Sequence, residues 1–399
     1  MQYRPFIDAA LKSRFYQEKL AGQHFENWLG IPFTTKTELR NADAYDLIGT
    51  AIDQIATYHE TSGTTGTPTP SWFTHKDIEQ EVNVVLNSSL QLNEKDLVLN
   101  RFPFAMAIPS FIFYWSAARV GAGHIAVDKA SMITPDRRVV EIIERTNPSI
   151  LTMLPSEAEK LYEVGKQMGV LLPNPNLRAF VLAGELMTPS RKKHLENVWG
   201  VPVYLLFGST ETGGLFMSCE NGHYHLNHAN AFVESVDENG KPAKEGLKGN
   251  CVISTAREGM PLLRYANQDI IELRAGSTCG CGQTKPIMIH YGRKEDLIRM
   301  PNDREITFYD LQEVVYSLKN VPFMWKVKVL TDHVQFMFQY TTRMKPSRKT
   351  LEEEISTKLG LAVEVVFTEI FSLQKLTEKP AYAKYAHIER ETKEWEWIK

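Results

Sequence analysis

Five short apolar runs, Asp96–Leu99, Ile125–Val127, Ile150–Met153, Phe180–Leu182 and Val203–Phe207, are separated by stretches with helical spacing. Those stretches include Arg137–Arg145, Ser156–Met168 and Pro189–Val198. A strand–helix alternation at this spacing predicts α/β units around a largely parallel sheet, because each parallel connection needs a crossover long enough for a helix. After Val233 the pattern changes to polar-interrupted strands with turns at Glu238-Asn239-Gly240 and Lys248-Gly249-Asn250, the texture of a β subdomain. A second change falls near Gly292. Beyond it come a helix-period segment (Phe308–Leu318), a hairpin (KVKVL–TD–HVQFMFQY), a helix (Ser347–Leu359), a strand (Ala362–Phe367) and a Lys/Glu-rich tail. That inventory predicts a separate, small α+β domain, with boundaries 1–292 and 293–399. The first fifty residues read as helical and amphipathic, broken at Ile31-Pro32-Phe33.

The chain has 399 residues, of which 43% are hydrophobic, so more than one core is expected. A formal net charge of −3 gives no global electrostatic reason to expect nucleic acid or an anionic membrane as partner. The start carries no basic region followed by an apolar run, and the longest uncharged stretch, Phe102–Ala118, is too short to span a bilayer and contains Pro103 and Pro109. It reads as a buried segment under a pocket. Four cysteines in so long a chain are not a secreted disulfide scaffold. Together these points predict a soluble, cytoplasmic protein.

Tyr58–Pro68 reads YHETSGTTGTP. Ser62, Thr64 and Thr65 supply hydroxyls, while Gly63 and Gly66 let backbone N–H groups converge, which is how a loop cradles a polyphosphate. A flexible linker is the bland alternative, and Pro68, Pro70 and Trp72 directly after the loop argue against it. The loop has no lysine and fits no Walker pattern.

The string resembles the phosphate-binding loop of the adenylate-forming superfamily, which holds acyl-CoA synthetases, adenylation domains and luciferases. Three further strings follow in that family's order. LFGSTETGG (Leu206–Gly214) resembles the segment that closes over adenine and magnesium. RYANQDI (Arg264–Ile270) resembles the ribose-binding segment, and GRKEDLI (Gly292–Ile298) the hinge between large and small domains. Gly184-Glu185 ahead of the second string, and CGCG before the hinge, resemble the phenylacetate–CoA ligase-like branch.

The resemblance implies an α/β fold: a large N-terminal adenylate-forming domain of mixed sheets, helices and a small β subdomain, followed by a small mobile C-terminal domain. It implies ATP as substrate and Mg2+ as cofactor, with Glu211 as the magnesium ligand. Ser62, Gly63, Thr64, Thr65 and Gly66 would hold phosphates. Asp269 would hold the ribose, and Arg293 ribose or phosphate. Ala183, Gly184, Glu185, Phe207, Gly208, Ser209 and Thr210 would line the adenine and acyl sites, with Glu295 as pivot. The family's C-terminal lysine, which bridges carboxylate and α-phosphate, aligns with Lys379, and Lys375 and Lys384 are rivals. The family's usual glycine before it is Glu378 here, a common loop lysine is Thr67, and a frequent tyrosine is Phe207.

Cys219, Cys279 and Cys281 with His223 or His225 make a candidate structural zinc site, since strand alternation sets both histidines on one face. The pattern of phenylacetate–CoA ligase-like proteins favours His225. Cys251, in CVIST, reads as core. An apolar acyl pocket is expected from Phe104, Met106 and Ile108 with Ala183 and Phe207, suited to a flat aromatic or short hydrophobic acid. The resemblance favours an aryl or arylacetic acid, hydroxybenzoates for siderophore or antibiotic assembly included, over a fatty acid. The acceptor thiol is either coenzyme A or the phosphopantetheine of an acyl carrier protein, and a homodimer is compatible with the family. The alternative of another class is a nucleotide-binding module without ligase chemistry.

Overall fold

The computed structural model describes residues 3–25, 27–61, 67–276, 279–299, 305–330, 333–341, 345–369 and 387–390. Helices α1 (Arg4–Ala10) and α2 (Arg14–Lys19) open the chain, followed by β1 (Thr34–Thr35) and α3 (Lys36–Asn41). A reciprocal capping box fixes the start of α3: the Thr35 hydroxyl accepts from Glu38 N and the Glu38 carboxylate accepts from Thr35 N. An antiparallel ribbon of β2 (Ile55–Glu60) and β3 (Pro70–Thr74) leads into α4 (His75–Leu86), again through a capping box at Thr74 and Asp77.

The predicted alternation then follows in order: β4 (Leu97–Asn100), α5 (Ile108–Val120), β5 (Gly123–Ala126), α6 (Asp136–Thr146), β6 (Ile150–Met153), α7 (Pro155–Met168), β7 (Ala179–Ala183), α8 (Pro189–Trp199) and β8 (Val203–Ser209). These strands lie parallel in the order β5-β4-β6-β7-β8. The apolar runs of β6 and β7 are continuous because both faces are covered, whereas the edge strand β5 is only partly buried. Within β7, Phe180 and Leu182 enter one core with Leu161, Leu195 and Trp199, while Ala179, Val181 and Ala183 enter the opposite core with Val85, Ile112 and Phe113. Each of the larger apolar side chains among them, such as Val181, Phe180 and Leu182, contributes about 1.5–3 kcal/mol. The uncharged stretch from Phe102 supplies α5, whose buried residues include Ile108, Ile112 and Phe113. Arg101, buried at the end of β4, bonds Asp136 of α6 at 2.6 Å and Glu157 of α7 at 2.9 Å, tying both helices to the strand.

Strands β9 (Gly213–Ser218), β10 (Tyr224–Leu226), β11 (Ala231–Val236), β12 (Gly249–Thr255), β13 (Leu262–Arg274) and β14 (Ile287–Arg293) follow. The polar-interrupted strands expected after Val233 form the antiparallel β part of the large domain and continue its sheet in the order β11-β12-β13-β14-β10-β9-β8. The join is made by β10, antiparallel to both β9 and β14. Near the nucleotide motif β13 is bent by positive φ at Arg264 and Gln268 and by a register shift opposite β14, and β1 adds to it in parallel at Thr34↔Tyr265.

Beyond β14 lie β15 (Ile298–Arg299), β16 (Glu305–Ile306), α9 (Phe308–Tyr316), β17 (Met324–Val329), β18 (Val334–Gln339), α10 (Arg348–Leu359), β19 (Val363–Phe367) and β20 (Ile388–Arg390). Four of these strands form a sheet in the order β19-β18-β17-β20 with a separate apolar core that includes Leu311, Trp325, Phe336, Phe338 and Ile355. Helix α9 docks on the start of α8. Gln312 Oε1 accepts from Thr188 N at 3.0 Å, the Glu313 carboxylate accepts from Ser190 N (3.0 Å) and Ser190 Oγ (2.6 Å), and the Tyr316 hydroxyl donates to Glu159 at 2.6 Å. A carboxylate at the first turn of a helix is favoured by the unpaired N–H groups there.

Candidate active site at the end of the large sheet

The turn from β8 to β9 carries the second motif. Gly208 lies opposite Gly214 at a register shift, and a Cβ on Gly208 would stand 2.1 Å from the Gly213 carbonyl oxygen, so the hairpin closes only with glycine there. Thr212 Oγ1 accepts from Ser209 N at 3.0 Å, fixing the turn from within. Glu211 at its tip is 2% exposed. Its Oε1 accepts from the Tyr265 hydroxyl at 3.1 Å and pairs with Lys36 Nζ at 3.3 Å. Burial and then the Glu211 charge push the Tyr265 phenol well above its ordinary range, so it stays protonated and donates. A carboxylate left unpaired here would be costly, and the ammonium answers that cost. A buried carboxylate oxygen that already draws a cation is a hard donor of the kind magnesium takes, so Glu211 fits that ion.

Asp269 and Arg293 face each other across the β13–β14 ladder. Asp269 Oδ2 accepts from Asn267 Nδ2 at 2.8 Å, and Oδ1 lies 3.1 Å from His290 Nε2. The His290 ring packs edge-on against Phe207 at 5.1 Å, which links the ribose candidate to the β8 motif. Arg293 is half-exposed and pairs loosely with Glu295 at 3.7 Å, where the chain makes a short helical turn at Lys294–Asp296.

Residues 62–66 of the phosphate loop, including Ser62, Gly63, Thr64, Thr65 and Gly66, lie outside the described residues, as do Lys375, Lys379 and Lys384. The loop's base is described: Thr61 N donates to Thr69 O at 3.1 Å, and Thr69 N donates to Thr61 Oγ1 at 2.8 Å. The ribbon therefore holds both ends of the loop together.

Gly184 has φ +86°, a left-handed turn after β7 that suits glycine. The Glu185 carboxylate bonds Ser156 and Arg191, which leaves its backbone as the part a nucleotide could meet. The acyl-pocket candidates differ in exposure. Ile108 is buried in the core, Met106 is 40% exposed with its carbonyl accepting from Glu60 N, and Phe104 joins an aromatic group with Phe111 (5.7 Å) and His124 (6.1 Å). Phe111 continues to Trp115 and to the buried His59.

Ligand atoms of Cys219, His225, Cys279 and Cys281 all lie within 4.8 Å of one another. Cys281 Sγ is 3.3 Å from His225 Nε2 and Cys219 Sγ is 3.5 Å from Cys279 Sγ. His223 also reaches the cluster, its Nδ1 3.2 Å from Cys279 Sγ. Burial pushes the Cys219 thiol up to about 12. Burial acts the same way on Cys279, yet hydrogen bonds, first from His223, bring it down to about 5. Three sulfurs and one imidazole at this spacing suit a closed tetrahedral ion such as zinc. Cys251 is fully buried in β12 and takes no part.

The model of the AMP-binding enzyme family matches residues 24–258. The chain belongs to that family. Among its relatives, a phenylacetate-coenzyme A ligase from Thermus thermophilus is 29% identical over 280 residues, which cover 67% of this chain and 61% of the relative. The chain thus matches less than two thirds of that protein's length. A phenylacetate-coenzyme A ligase from Pseudomonas putida is 22% identical over 363 residues, 85% of this chain and 80% of the relative. The fold is shared with 2-hydroxyisobutyryl-CoA ligase in the postadenylation state in complex with 2-HIB-AMP (TM-score 0.84, 17% identity, 98% of this chain and 88% of that one). Among the described residues no helix is long and apolar enough to cross a membrane.

Within this family member the fold adds residues that sequence reasoning did not single out: Lys36, Tyr265 and Arg257 around Glu211, and His290 beside Asp269. Tyr265 lies inside a motif and could have been found there. Lys36 lies within the capping signature Thr35-x-x-Glu38, which announces a helix start and nothing about phosphate.

Proposed function

We propose that this chain is an ATP-dependent acid–thiol ligase that activates a carboxylic acid, aromatic in class, as its acyl-adenylate and passes the acyl group to a thiol. The observation that carries the reading is the buried Glu211 carboxylate beside the Lys36 ammonium, on the turn whose backbone is bonded through Arg257 to the strand leaving the phosphate loop. Membership of the AMP-binding family and the phenylacetate-coenzyme A ligase relatives support it.

In the first half-reaction a carboxylate oxygen of the acid attacks the α-phosphorus of ATP. The bond from that phosphorus to the bridging oxygen breaks, and pyrophosphate leaves with the electron pair. Two anions must meet, so the residues act by neutralising and aligning. Lys36 and the phosphate loop receive the phosphates, Asp269 accepts from the ribose hydroxyls with His290 steadying it, and Lys379 bridges the acid and the α-phosphate. Magnesium held at Glu211 would supply further positive charge to the phosphates. In the second half-reaction a thiol sulfur attacks the acyl carbon, the bond to the AMP oxygen breaks, and the thiol proton passes to solvent. The thiol is coenzyme A, named in the relatives, or a carrier-protein phosphopantetheine. The aromatic group of Phe104, Phe111 and Trp115 supports a flat acid. Residues 293–399 would act as a lid turning at Lys294-Glu295 between the halves. Cys219, His225, Cys279 and Cys281 would hold one structural zinc, clamping the β9–β10 turn to the segment before β14. Acid-dependent exchange of pyrophosphate into ATP tests the reading.

A further inference from the structure

Arg257 lies between β12 and β13 and is 1% exposed. Its Nη2 donates to the Glu211 carbonyl at 2.6 Å and to Ser71 Oγ, on β3, at 3.1 Å, while the guanidinium stacks over Phe73 at 4.2 Å. One cation therefore ties the backbone of Glu211 to the strand that leaves the phosphate loop. At the other end of the same turn, Glu81 of α4 accepts from Gly214 N at 2.7 Å. Gly213, with φ +74°, leaves room for that carboxylate: a Cβ there would stand 1.9 Å from Glu81 Oε1. The segment bearing Arg257 is itself pinned to α4, since Asp77 accepts from Glu258 N (2.9 Å) and Gly259 N (2.8 Å). The circuit runs from β3 through α4 and residues 257–259 to both ends of the Glu211–Gly214 turn.

This arrangement is expensive for the fold alone. Glu81 and Arg257 are fully buried, and burial pushes the Glu81 carboxyl up to about 8. Glu81 Oε1, Arg257 Nε and Nη1, and His228 Nε2 find no hydrogen-bond partner among the described residues, although His228 lies 4.0 Å from Glu81. Replacing buried charged groups by apolar residues of similar volume is often neutral or stabilising, and buried polar atoms without partners call for an explanation.

We infer that Arg257 and Glu81 are positioning residues that clamp the two ends of the Glu211–Gly214 turn and hold the Glu211 carboxylate in register with β3, the strand that follows the phosphate loop. The inference rests on the reading of Glu211 as the magnesium carboxylate. Displacing a residue that orients a ligand costs about 10- to 100-fold in metal affinity.

The experiment is ATP binding by calorimetry with and without Mg2+, together with the Mg2+ dependence of pyrophosphate exchange. Arg257→Met and Glu81→Ala should each raise the Mg2+ requirement about tenfold or more and shrink the Mg2+-dependent gain in ATP affinity. AMP binding without metal should change far less. Glu81→Gln keeps an oxygen for Gly214 N and should recover most of what Glu81→Ala loses. A lower melting temperature with the wild-type Mg2+ requirement would make both residues merely structural and overturn the clamp. Should Arg257→Met not fold, Ser71→Ala decides, since it deletes one partner of the guanidinium: a raised Mg2+ requirement supports the clamp and an unchanged one overturns it. Glu211→Gln is the control. If it leaves the Mg2+ requirement unchanged, the reading of Glu211 falls and the clamp with it. If it alters the requirement while Arg257→Met and Glu81→Ala do not, the clamp alone falls.

Discussion

Glu211 sits in a buried place with Lys36 in ion-pair reach and the Tyr265 hydroxyl donating to it. Glu211→Gln retains the shape and removes the charge, so adenylation should drop by about 100-fold or more while the melting temperature stays near wild type. Wild-type adenylation in that variant would remove the magnesium assignment. Lys36 makes a second, separable prediction. In the proposed mechanism it supplies the cation that the phosphate loop lacks at Thr67, so Lys36→Ala should weaken ATP binding about tenfold while AMP binding, without the outer phosphates, falls much less. Equal losses for both nucleotides would confine Lys36 to neutralising Glu211. Glu211 and Asp269 were nameable as candidates in the sequence because each sits in a short local string that resembles a family motif. Lys36, Arg257 and His290 were not, because they reach the site through long-range pairing: β1 against β13, the loop before β13, and β14 against β13.

Among elements, the parallel strands and the helices α6, α7 and α8 were legible to within a residue or two, as with Ile150–Met153 for β6, while α5 was read only as a buried segment because its apolar residues lack a helical stripe. The antiparallel half was legible as strands but not as part of the same sheet. That join depends on the three-residue β10, too short to leave a periodic signal. The Cys/His cluster sits at that join, with His225 on β10 and Cys279 and Cys281 ahead of β14. The purified protein should contain one zinc per chain. Cys279→Ser or Cys281→Ser should release it and lower thermal stability, because metal binding adds to folding free energy. Metal analysis showing no zinc alongside reactive thiols would sink the clamp. His225 shares the 4.8 Å set with all three cysteines, while His223 Nδ1 lies 3.2 Å from Cys279 Sγ.

At the scale of the whole molecule, two cores meet at the start of α8, where Gln312, Glu313 and Tyr316 of α9 bond Thr188, Ser190 and Glu159. A lid that turns between half-reactions must break these bonds. Glu313→Ala should therefore alter the ratio of adenylation to thioester formation from supplied acyl-adenylate, where a rigid body would show equal changes in both. The separate core was legible from the change of texture near Gly292, but its docking on α8 was not, since Glu313 and Gln312 read as ordinary polar positions of an amphipathic helix. Everything proposed for the site assumes that it joins an acid to AMP. The most direct test is exchange of labelled pyrophosphate into ATP across a panel of acids. Exchange that needs an added acid, and runs fastest with aryl or arylacetic acids, is the predicted result. Tight ATP binding with no exchange for any acid would contradict it and leave a nucleotide-binding module.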